Sequence, residues 1–95
     1  MNRLQVVVID LNKVTSAEDL HYLLKDALAF PDWYGCNWDA FWDAITGLVQ
    51  MPLQLQISGW DAFSRRLPRD AELMQKCLAN MQVEYPQLAA DLLFE

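Results

Sequence analysis

Hydrophobic and polar residues along this chain change rhythm several times, and each rhythm predicts a different element. Leu4 to Ile9 is an apolar, β-branched run, the pattern of a buried strand. Asp10 to Val14 turns the chain, and Thr15 followed three residues later by Glu18 resembles a capping box. Leu20, Leu23, Leu24, Ala27 and Leu28 then recur at helical spacing on one face. Pro31 ends that helix, because the residue before a proline is pushed out of the helical region.

Asn37 is a good N-cap for a second helix, predicted to run to about Val49 with Trp38, Phe41, Ile45, Leu48 and Val49 as its core stripe. After Pro52, the alternation Leu53-Gln54-Leu55-Gln56-Ile57 predicts a strand with one polar side. A short helix is expected over Trp60 to Leu67, ended by Pro68. Asp70 is expected to cap a further helix carrying Leu73, Met74, Cys77, Leu78 and Met81. Leu92 to Phe94 fits either a third strand or the end of a terminal helix. Strands separated by helices imply right-handed crossovers and a parallel sheet, so the fold class is α/β with about four helices.

Composition narrows the function. With 54% hydrophobic residues and three glycines, residues 1–95 are expected to form a single packed domain. The net charge of −6 argues against direct binding of nucleic acid and for attraction to basic proteins. Val6 to Ile9 is the longest early apolar run, too short for a signal peptide or a membrane span, so a cytoplasmic protein is expected. Cys36 and Cys77 lack metal-ligand spacing and are read as reduced thiols, a disulfide between them being the minor alternative. One histidine, His21, and two distant cysteines make no zinc site, and no cofactor is implied.

The segment from Pro31 to Asp43 carries the functional signal. It reads P-D-W-Y-G-C-N-W-D-A-F-W-D, and no lysine or arginine occurs from Asp26 through Ser64. At about 100° per residue, Asp43 falls nearly opposite the core stripe, Asp39 beside it, and Trp42 on the border. Ala40 and Ala44 flank the aspartates and are expected to leave them open. Two aspartates at i, i+4 repel by roughly 0.2–0.5 kcal/mol, a cost small enough for a merely solvated face. Trp33 and Tyr34 add weight to a binding surface: one ring is expected to plug the sheet end, but at least one should be exposed. Rings beside unpaired carboxylates suit arginine, whose guanidinium stacks on aromatics and forks onto carboxylates.

The stretch from Phe30 to Gly47 resembles the barstar family, intracellular inhibitors of a secreted bacterial ribonuclease. The matching positions are Pro31, Asp32, Trp33, Tyr34, Gly35, Asn37, Asp39-Ala40, Trp42-Asp43 and Thr46-Gly47. Ser16 to Leu28 and the strand after Pro52 extend the resemblance over about Leu4 to Ile57. It implies a three-stranded parallel sheet packed by helices, no enzymatic activity, and a turn and helix that plug the nuclease active site. Under it, Asp43 is the central carboxylate, Asp39 pairs with another cation, Trp42 packs at the contact, and Trp33 stands where the family stacks a tyrosine on the catalytic histidine. Leu48 replaces a family aromatic. The family's acid on the later helix falls near Ala79 or Asn80, neither of them acidic, and neither Glu84 nor Glu72 nearby is assigned to its place.

The expected partner surface is therefore Trp33, Tyr34, Gly35, Asn37, Asp39, Trp42, Asp43 and Thr46. The expected partner is a basic bacterial ribonuclease or ribonuclease toxin domain, met by a chain that is monomeric when free and binds neither membrane nor nucleic acid. The alternative is a non-nuclease binding module, using the same face for another basic protein or for homodimerisation. Catalysis by Asp39 and Asp43 is disfavoured, since an exposed pair lacks the burial that separates two carboxylate pKa values. Arg65, Arg66 and Arg69 read as a solvated basic face, and His21 as a surface or partly buried structural histidine.

Overall fold

The computed structural model describes residues 3–95. Its elements follow in the order β1 (Val6–Asp10), α1 (Ala17–Leu28), α2 (Trp38–Asp43) continued by a π-helical turn (Ala44–Leu48), β2 (Gln54–Ser58), α3 (Trp60–Arg66), α4 (Pro68–Glu84) and β3 (Asp91–Phe94). The strands form one parallel sheet in the order β1-β2-β3. The C-terminal segment is thus a third strand. Because both crossovers advance in the same direction, right-handed connections lay the helices on a single face.

Side-chain burial follows that topology. Val7, Ile9, Leu55, Ile57, Leu92 and Phe94 share the register positions that face the helices. Val6, Val8, Gln54, Gln56 and Leu93 occupy the alternate positions, and Val8 is 60% exposed. The apolar run of β1 is therefore not a strand buried on both sides, because no crossover in a 1-2-3 order supplies helices to the second face. Gln54 and Gln56 had marked that open face correctly on β2.

Several boundaries differ from their expected positions. Ser16, not Thr15, caps α1, its hydroxyl accepting the Asp19 N–H at 3.1 Å. Thr15 instead donates to the Asp19 carboxylate. The helix ends before Pro31 with Ala29 in the left-handed region, φ 58°, and the Phe30 N–H returning to the Lys25 carbonyl. Asp70 does not cap α4, which starts with Pro68 at its first turn; the Asp70 carboxylate accepts the Trp38 indole N–H at 2.9 Å and so ties α4 to α2.

The second helix is not α-helical throughout. The Val49 N–H bonds to the Ala44 carbonyl, five residues back, and Thr46 Oγ1 donates to the Trp42 carbonyl at 2.6 Å. That carbonyl is the one an α-helix would give to the Thr46 N–H, so the hydroxyl competes with the helix ladder. Gly47, a weak helix former, follows at once. The widened turn keeps Ile45 buried but swings Leu48 out to 44% exposure, against its expected core position, and it buries Ala44 fully.

Two arginines stitch the loops to the scaffold. Arg3 donates to the carbonyls of Met51, Pro52, Gln87, Leu88 and Ala89, joining the entrance of β2 to the loop before β3. Arg66 donates to Leu11 and Val14 carbonyls at 2.7 and 3.0 Å, so it belongs to the fold and not to a free basic face. Gly59 turns β2 into α3 at φ +74°, where a Cβ would lie 2.6 Å from the Asn12 side-chain oxygen.

Candidate functional site

Asn37 sets the start of α2. Its side-chain oxygen accepts the Ala40 N–H at 2.7 Å and its amide donates to the Gly35 carbonyl at 3.1 Å. Both ends of that side chain are thus engaged within the chain. Gly35 is exposed, and a Cβ there would crowd the cap at 3.2 Å from the Asn37 amide nitrogen. These two residues shape the surface more than they offer it chemistry.

Beneath this loop lies a buried polar pair. Tyr34 is 6% exposed and its hydroxyl sits 2.7 Å from His21 Nδ1; His21 is 2% exposed. The His21 ring packs against Trp38 with centroids 4.6 Å apart, and Phe30 packs on Tyr34 at 4.8 Å. Burial pushes the His21 pKa below its ordinary value, the charge of Asp70 opposing in part. Burial likewise pushes the Tyr34 phenol above its usual range. Tyr34 is therefore the plug of the pair, and its ring leaves the expected surface set. His21 is a fully buried structural residue linking α1 to the loop.

Trp33, the neighbouring ring, is 72% exposed. The loop that presents it is bounded by left-handed residues at Ala29 and Cys36, and held by a Tyr34 N–H to Pro31 carbonyl bond of 3.0 Å. Lys25 also reaches from α1 toward the Asp32 carbonyl. An indole on an ordered loop can stack on a partner without much ordering cost.

Asp39, Trp42 and Asp43 come together in an open recess of about 480 Å³, sharing the α2 wall with Trp38. The other wall is α4, through Leu73, Lys76, Cys77 and Asn80. Both aspartates are exposed and Trp42 is half-buried, its ring 6.3 Å from that of Tyr85. Trp33 and Thr46 do not line this recess. Thr46 spends its hydroxyl on the π-turn and borders a separate cavity of about 70 Å³.

Of the later-helix positions that the family resemblance named, Asn80 lines the recess while Ala79, Glu72 and Glu84 do not; Lys76 on the same α4 wall was not foreseen. Residues 26–64 hold no base, yet the fold brings Lys76 of α4 into the same recess as the aspartates. No local pattern marks it, because the α2–α4 approach depends on contacts such as Trp38 to Asp70, 32 residues apart. Cys36 and Cys77 are both free, half-buried thiols. Burial raises the Cys77 pKa, and Asp39 raises it further while Lys76 opposes, so this thiol is a poor nucleophile. Among the described residues, no group of His, Cys, Asp or Glu is arranged to hold a metal ion.

Comparison with known proteins agrees with this architecture. The model of a family described as "Barstar (barnase inhibitor)" matches residues 4–94. A protein of Bacillus subtilis (strain 168) named "Putative ribonuclease inhibitor YrdF" is 43% identical over 78 residues, covering 82% of this chain and 86% of that protein. A match over nearly the whole chain, with the three-stranded parallel sheet and its helices in place, shows that this protein belongs to the Barstar family, a family of inhibitors and not of enzymes.

Proposed function

We propose that this chain is the cytoplasmic inhibitor of a basic bacterial ribonuclease or ribonuclease toxin domain, acting as a monomer that covers the enzyme's active site. The observation that carries the reading is the pair of exposed carboxylates, Asp39 and Asp43, beside the half-buried Trp42 in an open recess. A ribonuclease holds cationic groups where RNA phosphates bind. Asp43 and Asp39 would occupy those places as charge-assisted acceptors, competing with the substrate for the same donors. Trp33 would add a flat apolar anchor at the edge of the contact. Trp42, backed by Tyr85, would exclude water next to the ion pairs and so strengthen them.

The net charge of −6 supports the same reading at longer range, since it steers the chain toward a basic enzyme and makes association salt-dependent. The family assignment supports the class of partner, and the B. subtilis relative's printed name agrees with it.

The test is RNA cleavage by a panel of small bacterial ribonucleases and toxin domains, titrated with the wild type and with Asp43→Ala. The expected result is stoichiometric inhibition by the wild type, with affinity at least tenfold weaker for the variant. Tenfold corresponds to about 1.4 kcal/mol, a modest demand on a charge-assisted contact. Unfolding of the variant should match or slightly exceed the wild type in stability, because one i, i+4 repulsion is gone. Equal inhibition by both proteins would remove Asp43 from the proposed contact.

A further inference from the structure

The recess between α2 and α4 carries charge of both signs. Asp39 and Asp43 stand on one wall and Lys76 on the other, all three exposed. Both signs act on the same space: the Cys77 thiol in that space feels Asp39 in one direction and Lys76 in the other. Glu72, four residues before Lys76 on α4, lies outside the recess lining. The remaining α4 lining is neutral, with Asn80 one turn beyond Lys76 and Leu73 one turn before it.

A partner that fills this recess must therefore answer three charges and not two. Cationic groups satisfy Asp39 and Asp43, but a uniformly basic surface would press like charge onto the Lys76 ammonium while stripping its water. Burying an ammonium without a counter-charge is costly, so such a partner is disfavoured. A partner with a carboxylate beside its basic cluster meets the recess on both walls, and the difference between the two partners is the selectivity.

We propose that Lys76 is a specificity-determining contact of the inhibitory face, selecting a ribonuclease that places an acidic side chain next to the basic groups bound by Asp39 and Asp43. This rests on the inhibitory function proposed above. It also reverses the effect expected from overall charge. Lys76→Glu makes a net charge of −6 more negative by two units, which by long-range attraction alone would tighten binding to a basic enzyme. The local reading demands weaker binding.

Lys76→Glu and Lys76→Met settle the sign, measured by association and dissociation rates against a ribonuclease that the wild type inhibits. All three residues are good helix formers at an exposed position, and thermal unfolding checks that each variant is folded. The expected result is faster association for Lys76→Glu, together with faster dissociation that leaves its Kd at least tenfold weaker. Lys76→Met, which keeps an apolar stem and loses the charge, should fall between the variant and the wild type. Binding by Lys76→Glu as tight as the wild type, or tighter, overturns the proposal while leaving inhibition intact. Absence of inhibition by the wild type across the whole panel overturns the inhibitory function and this proposal with it.

Discussion

Trp33 and Tyr34 are adjacent aromatics, one exposed and one buried, and a pair of substitutions separates the surface role proposed for the first from the packing role of the second. Tyr34→Phe keeps the ring that packs against Phe30 and deletes only the hydroxyl 2.7 Å from His21 Nδ1. His21 is 2% exposed, so water does not replace the lost partner without rearrangement. Leaving a buried polar nitrogen unpaired costs about 1–3 kcal/mol. For a domain of this size each kcal/mol moves Tm by roughly 4–8 °C, so a loss of at least about 4 °C is expected. Inhibition per folded molecule should stay within about threefold of the wild type, since a 1.4 kcal/mol change is tenfold and no surface group has changed.

Trp33→Ala should do the reverse. Its ring is 72% exposed, so stability should shift by no more than about 0.5 kcal/mol, while affinity for the ribonuclease falls at least tenfold. Urea and thermal unfolding followed by circular dichroism read the first quantity, and titrated RNA cleavage reads the second. The reasoning fails if Tyr34→Phe unfolds with the wild type, or if Trp33→Ala inhibits as well as the wild type.

The remaining expectations concern the scaffold. Ile45→Ala should cost about 2–5 kcal/mol in urea unfolding, whereas Leu48→Ala should cost under about 1 kcal/mol, because the π-turn keeps Ile45 in the core and turns Leu48 outward. His21 has a folded-state pKa below 6.5, so the unfolded chain takes up its proton first as pH falls. Stability should therefore drop below about pH 6.5, by at most about 1.4 kcal/mol per pH unit, until the folded imidazole also protonates; His21→Gln should flatten that dependence over pH 5–7. Arg3→Lys should lose roughly 1–2 kcal/mol, since an ammonium cannot span the carbonyls of Met51, Pro52 and Ala89 as a guanidinium fork does. Equal urea midpoints for Arg3→Lys and the wild type would reduce those bonds to incidental contacts.

Much of this was legible along the chain wherever the cause was local. The Asn37 cap acts within three residues, and the α1 stripe and the β2 alternation are short-period patterns, so each appears in the structure nearly where the pattern puts it. The acidic face of α2 belongs to the same class, because a helix wheel needs only the helix. The misplaced features have causes beyond the segment itself. Val6 and Val8 read as buried because they are apolar, but exposure depends on strand order. Leu48 left the core because one hydroxyl, Thr46, competes for one carbonyl. Asp70 was expected to serve its own helix and instead bonds the Trp38 indole on α2. Lys76 entered the site through a helix packing that no 12-residue window contains.

The uncovered sheet face has a practical use. Val8 and Gln56 are register partners on the side away from every helix, so they lie across the molecule from the acidic recess. A dye, tether or resin linkage carried there would orient each molecule with Trp33, Asp39 and Asp43 facing solution. The same linkage on α4 would lie beside the recess and obstruct it. A capture reagent for the ribonuclease partner is thus best immobilised through the strands, whose outer face the fold leaves bare.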